Sequence, residues 1–318
     1  MQSTLVLNVV GLAPALIGEH TPALKAFRDA NVLRPLTTIL PAVTCSVQST
    51  FLTGLTPAEH GIVGNGWYFR DLAQVMFWRQ ANQLVRGEKV WETARRRDPA
   101  VTCAKMFWWF NMYSSADWSV TPRPIYRADG GKILDIYSSP APLGERLKAE
   151  LGPFPFFSFW GPAADIKSSE WIANASLLVH RWHNPSLLLV YLPHLDYDLQ
   201  RYGPDGTEAD RALDVVLSGA RDPRFEAAGA LSIAGLKAWV EREHAKDLRL
   251  VAVASGAPSR RKNRPSNSGA AAAPRVLHRL PGRGNGQQSR REGGRQGTDP
   301  RMLRMAFLRR TGMVIRRE

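Results

Sequence analysis

Residues 40–61 read LPAVTCSVQSTFLTGLTPAEHG. The preceding segment, 36–40, has the apolar and β-branched content of a strand, and Pro41, which cannot donate to a ladder, marks its end. Hydroxyls follow at Thr44, Ser46, Ser49, Thr50 and Thr53, and Gly54 stands where a helix would stop. The pattern is a strand delivering Thr44 to the first turn of a helix. A helix N-terminus presents unpaired N–H groups and the positive end of a dipole, so an anion, or a hydroxyl losing its proton, is favoured there. The same residues also suit a plainer role, in which Thr44 caps a buried helix.

Toward the N-terminus, the apolar run 5–10 suits a strand covered on both faces, and Thr21-Pro22 opens a helix to about Asn31. Residues 61–66 hold three glycines and Asn65, which on its own reads as a turn residue with positive φ. A helix over 90–97 and a buried strand over 101–105 repeat the β–α–β alternation, which points to a mostly parallel sheet flanked by helices. The block MFWWFNMY, 106–113, can fill a core, line a cap over a site, or stack a base or sugar. Residues 118–159, rich in Pro, Ser and Gly, read as an irregular insertion with one helix near 143–151, so that about 106–165 forms a cap-like insertion. A helix over 168–182, capped by Ser168 or Ser169, precedes the strand LLLVYL at 187–192. In open α/β sheets ligands bind beyond the carboxyl ends of strands, and Asp196, four residues past this one, is placed to hold a metal. LRLVAV, 248–253, reads as a further core strand.

Composition divides the chain into two parts of different character. The net charge is +14, but residues 260–318 carry fifteen Arg and one Lys against Glu292, Asp299 and Glu318, leaving the first 259 residues at +1. All ten Trp and all seven Tyr lie before residue 240. Residues 1–256 therefore form the folded domain, and 257–318 a basic, Arg-rich tail that cannot bury enough apolar surface and is expected to be disordered. Such a tail can contact nucleic-acid phosphates; the preferred account is an out-of-frame C-terminus. Two cysteines, Cys45 and Cys103, exclude a disulfide framework. With no basic region before the apolar start and no run long enough to span a membrane, a cytoplasmic location is expected.

Pro41-Ala-Val-Thr44, Phe51-Leu-Thr-Gly54, Pro57 and His60-Gly-Ile62 together resemble the nucleophile segment of the type I phosphodiesterase / nucleotide pyrophosphatase family, within the alkaline phosphatase superfamily. The resemblance spans roughly residues 5–255 and is strongest at 34–70 and 187–205. It implies an alkaline-phosphatase-like α/β fold and metal-dependent hydrolysis of a phosphodiester or pyrophosphate bond in a small-molecule phosphate ester. It also implies a divalent metal, typically zinc, at two sites. Carried over to this sequence, it makes Thr44 the catalytic nucleophile and a metal ligand. It makes Asn65, through the order His-Gly-Ile-x-x-Asn, the holder of a phosphate oxygen, and Asp196 a metal ligand.

Three places depart from the family pattern. Val10 stands where the first strand of the family ends in a metal-binding Asp, and Gln200 stands where it has a zinc-binding His. After the strand 248–253 the chain runs into Ala254-Ser255-Gly256 in place of a Ser-Asp-His-Gly segment, so the fold is expected to be incomplete at the C-terminus. Two functions stay open on these grounds. One is a Thr-nucleophile hydrolase impaired in this chain; the other is an inactive phosphatase-fold protein that binds a phosphate compound or a partner.

Overall fold

The computed structural model describes residues 3–19, 21–36, 39–161, 163–202, 248–255 and 312–316. Its centre is an eight-stranded sheet. β1 (Ser3–Val10) lies between β8 (Leu187–Leu192) and β9 (Leu248–Ser255), parallel to both. β5 (Cys103–Met106) pairs in parallel with β8 on one side and with β6 (Trp118–Tyr126) on the other. β7 (Lys132–Ser139) closes that edge antiparallel to β6. At the opposite edge β10 (Gly312–Arg316) runs antiparallel to both β9 and β2 (Val32–Leu36). The sheet is mostly parallel, as the β–α–β alternation implies.

Continuous apolar runs form the middle of this sheet because both faces are covered. Leu5, Leu7, Val9 and Val10 of β1 and the β8 residues from Leu188 to Leu192 are all buried. One cover is α6 (Ile166–His183), which buries Trp171, Ile172, Ala175 and Val179; its cap is the Asp165 side chain, accepting from the Lys167 N–H, and not Ser168 or Ser169. Also flanking the sheet are α1 (Pro22–Asp29), α4 (Val90–Arg97) and α5 (Ala141–Leu151). No helix among the described residues is long and apolar enough to cross a membrane.

Three sequence expectations are corrected. The described strand before Thr44 is Val32–Leu36, paired with all five residues of β10, and not 36–40: residues 37–38 lie outside the described residues, and Ile39 and Leu40, the latter 84% exposed, are not in a strand. Residues 118–139 are not irregular: they form a hairpin that adds β6 and β7 to the central sheet, with Ser119 to Thr121 buried at its base. Residues 118–151 thus hold a sheet edge followed by α5. Finally, Gly312–Arg316, inside the tail expected to be disordered, is a sheet strand, filling the position between β9 and β2. The rest of that tail, and Gly203-Pro204, lie outside the described residues.

The aromatic block resolves to core. Phe107, Trp108, Trp109 and Phe110 are each about 1% exposed. Polar side chains pin their turn: Asn111 Nδ2 donates to the Lys105 and Val120 carbonyls, Asn82 Nδ2 to the Phe110 carbonyl, and the Trp109 N–H donates to Gln48 Oε1 at 2.8 Å. Lys105 is buried with them, its Nζ donating to the Phe110 carbonyl, and burial lowers its pKa to about 7.

Candidate phosphate-ester site

The segment 40–61 folds much as its hydroxyl pattern suggests. α2 (Thr44–Thr53) ends on Gly54 in the left-handed conformation, φ 71°, and α3 (Pro57–His60) follows. His60 bolts the two together. Its Nδ1 accepts from the Ile62 N–H at 3.0 Å, so the proton sits on Nε2, 3.0 Å from Thr50 Oγ1. Protonating Nδ1 would set N–H against N–H, and burial lowers the His60 pKa to about 4. In the unfolded chain a histidine titrates near 6.5. The native state therefore binds fewer protons between pH 6.5 and 4, and stability falls as pH drops through that window, by at most roughly 3 kcal/mol for this group. Urea unfolding at pH 7.5 and 4.5 should show that loss, and His60→Gln should flatten it; an unchanged slope in the variant would contradict the assignment.

Thr44 is the first residue of α2. The N-cap is Val43, which makes no side-chain hydrogen bond to the helix, so Thr44 is not a capping threonine. Asn65 closes on the same helix end: its Oδ1 accepts from the Cys45 N–H at 2.9 Å, which fixes the amide and leaves Nδ2 as a donor. Asn65 does not take the positive φ of a turn residue.

β1 and β8 are parallel and in register, Val9 opposite Leu192, so both leave the sheet at one edge. There β1 gives Val10 and Gly11, and β8 leads into α7 (His194–Tyr202). Gly11, φ 83°, packs on α7, where a Cβ would come within 2.6 Å of Leu199 Cδ1 and 3.3 Å of Asp196 Cα. Tyr191, near the end of β8, connects this edge to α2. Its hydroxyl faces the Thr44 side chain. Burial, followed by the neighbouring Tyr197 and Asp196, pushes its pKa up, so the phenol stays protonated. Burial also pushes Tyr197 up to about 12. Sequence reasoning misses Tyr191, although a lone hydroxyl near the end of an aliphatic strand is a signal for it.

Asp196 lies in the first turn of α7, and burial raises its pKa. Residues four apart share a helix face, and Gln200 Nε2 donates to Asp196 Oδ2 at 2.6 Å. The carboxylate thus already accepts an amide hydrogen bond from the position where the family has a histidine. His194 and Asp198, two residues out of phase, face away from that pair and hold each other, Nε2 to Oδ2 3.3 Å, with Arg201 on Asp198. Val10, at the family's Asp position, is buried. Thr44, Asn65 and Asp196 are therefore gathered around Tyr191 and the ends of β1 and β8. Among the described residues, no three His, Cys, Asp or Glu come together as a metal cage. The donors among the described residues, one carboxylate and several hydroxyls, do not by themselves fit the zinc centre expected from the family, since a catalytic zinc site takes three protein ligands.

Residues 4–217 match the sequence model of the family described as type I phosphodiesterase / nucleotide pyrophosphatase. The chain belongs to that family. The fold agrees: crystal structures of phosphonoacetate hydrolase from Sinorhizobium meliloti 1021, in complex with phosphonoformate and with phosphonoacetate, superpose with TM-scores of 0.53 and 0.52 at 16% identity. Each superposition covers 80% of this chain and 56% of the hydrolase, so the chain spans a little over half of the length of these structures. No curated protein matches the sequence. Family membership makes a divalent metal the cofactor to consider; it does not supply the ligands that Val10 and Gln200 replace.

Proposed function

We propose that this chain binds a phosphate ester at the N-terminus of α2, with Thr44 as the nucleophile toward phosphorus, and that its turnover is impaired. The observation that carries the reading is the junction of Thr44 and Asn65 at one helix N-terminus, whose N-cap residue Val43 contributes no side-chain hydrogen bond. Unpaired helix N–H groups and the Asn65 Nδ2 are donors for non-bridging phosphate oxygens, and they favour the charge that grows on them during attack. Tyr191, held protonated beside Thr44, orients the hydroxyl and can donate to the ester.

The impairment is placed at the first chemical step. Attack forms a bond from Thr44 Oγ1 to phosphorus, expels the leaving alkoxide, and requires the Thr44 proton to leave. A threonine hydroxyl needs a base or a metal to lose that proton at neutral pH. Tyr191 is protonated, and Asp196 receives the Gln200 amide. Zinc is the metal this reading names from the family, and Asp196 is the one described carboxylate toward it. A specific observation favours a second reading, a phosphate-compound binder without turnover: the Asp196–Gln200 bond occupies the carboxylate that a metal would need.

Binding of inorganic phosphate and hydrolysis of bis-p-nitrophenyl phosphate, with bound zinc measured on the same sample, separate the two. Asn65→Ala should weaken phosphate binding about ten-fold, the loss of one charge-assisted hydrogen bond. Slow hydrolysis that falls at least about 100-fold in Thr44→Ala supports the nucleophile. Phosphate binding without zinc or hydrolysis supports the binder. Phosphate binding indifferent to both substitutions, or none at all, overturns both.

A further inference from the structure

The hairpin that follows Asn65 carries apolar side chains on both of its faces. β3 (Gly66–Phe69) and β4 (Gln74–Phe77) pair antiparallel with each other and with no other strand among the described residues. The Trp78 N–H donates to the Asn65 carbonyl at 2.8 Å and closes the base of the hairpin. On the inner face Trp67 is half-buried and packs against the core. Side chains alternate along a strand, so Tyr68, its ladder partner Val75, and Phe77 share the outer face. They are 54%, 59% and 63% exposed, and Leu72 at the tip is 57% exposed. An antiparallel sheet with one face in water normally carries polar residues there. Six of the twelve large apolar side chains that are exposed among the described residues fall within residues 63–78, so the exposed apolar surface is gathered in one place.

The rim of this face is basic. Arg70, Arg79 and Arg86 are exposed, and none of them makes an ion pair among the described residues. Arg70 directly follows β3 and Arg79 directly follows Trp78. The Arg86 N–H donates to the His60 carbonyl, at the start of the loop that feeds the hairpin. Asp71 is the one acidic residue between residues 60 and 87.

This combination selects a partner. A second copy laid face to face would set the same arginines against one another. A nucleic acid would pair with the arginines but leave Leu72, Val75 and Phe77 against a polar strand. A bilayer surface satisfies both parts: apolar and aromatic side chains enter the boundary between headgroups and acyl chains, while guanidinium groups donate in pairs to lipid phosphates.

We propose that the β3–β4 hairpin is a membrane-docking element. It inserts Tyr68, Leu72, Val75 and Phe77 into the surface of an anionic phospholipid bilayer and sets Arg70, Arg79 and Arg86 on the headgroup phosphates. The docking is peripheral, needs no helix that crosses the membrane, and is independent of the phosphate-ester site at Thr44.

The test is flotation of the full chain with vesicles of equimolar phosphatidylcholine and phosphatidylserine, against vesicles of phosphatidylcholine alone, at low and high salt. The chain should float with the mixed vesicles, less so at high salt, and bind pure phosphatidylcholine more weakly. Residues 260–318, with fifteen Arg, can hold anionic lipid by charge alone, so the variants decide. Tyr68→Ser combined with Phe77→Ser should weaken binding to the mixed vesicles at least about ten-fold, the loss of two inserted rings. Arg70→Gln combined with Arg79→Gln should weaken it about five-fold for each charge removed. All four side chains are exposed, so both variants should keep the fold, which urea midpoints check. If the serine variant does not fold, the arginine variant decides in the same way. No flotation of the wild type overturns the proposal, and so does flotation that the variants leave unchanged, which would assign the binding to the tail. A wild type that does not float but dimerises, or binds an oligonucleotide, and loses that property in the serine variant would give the face to a second copy or a nucleic acid instead.

Discussion

Gly11→Val is expected to destabilise the domain by about 3–5 kcal/mol, the range reserved for backbone strain combined with overpacking. Gly11 sits at φ 83°, where a β-branched residue is strained whatever room it has. It has no room either: the new Cβ would meet Leu199 Cδ1 at 2.6 Å and the Asp196 backbone at 3.3 Å. Leu199 can rotate away, but the α7 backbone cannot yield without carrying Asp196 with it. A domain of ordinary stability, about 5–15 kcal/mol, would lose a large share of it. Urea midpoints for the wild type, Gly11→Ala and Gly11→Val measure the effect, and the alanine should fall between the other two. A loss below about 1 kcal/mol for the valine would mean that α7 is not packed on the end of β1 as described.

Val10→Asp combined with Gln200→His is expected to create zinc binding. In the double variant a second carboxylate enters the buried end of β1 beside Asp196, whose pKa burial already raises. The substitution also removes the amide that now occupies Asp196 Oδ2. Without metal, a buried and a half-buried carboxylate repel and are poorly solvated, a cost of about 3 kcal/mol, which lowers Tm by about 6–12 °C in a domain of this size. Zinc at about one hundred times its Kd would return about 2.7 kcal/mol. The expected signature is a low Tm in EDTA that zinc restores, with the wild type unmoved by either. A double variant that zinc does not stabilise more than the wild type would remove Val10 and Gln200 as the reason for impairment.

The fold is legible in the sequence wherever local pattern and burial agree. Aliphatic runs such as LLLVYL can only be covered strands, and the Pro22 helix start and the Gly54 stop are fixed by backbone chemistry that no tertiary contact overrides. Thr44 at the head of a helix is readable from residue type and spacing, whereas Asn65, a turn residue by type, becomes a site residue only through the resemblance to the family's His-Gly-Ile-x-x-Asn order. Residues 118–139 mislead a local reading because Pro and Ser argue against strands, while pairing along an existing sheet edge outweighs that preference. The strand before Thr44 misleads for a related reason: it pairs with β10, which comes from the far end of the chain.

The sequence by itself determined the α/β architecture through its apolar runs and, through short motifs that resemble one family, that family and the choice of Thr44, Asn65 and Asp196 as candidate site residues. Only the tertiary structure decided what surrounds them. Tyr191 reaches Thr44, Gln200 satisfies Asp196, and Trp78 closes on Asn65 because parallel strand register, one helical turn and one hairpin bring those groups together. Proximity across a sheet edge depends on register between distant segments, and no local pattern in a single sequence records it.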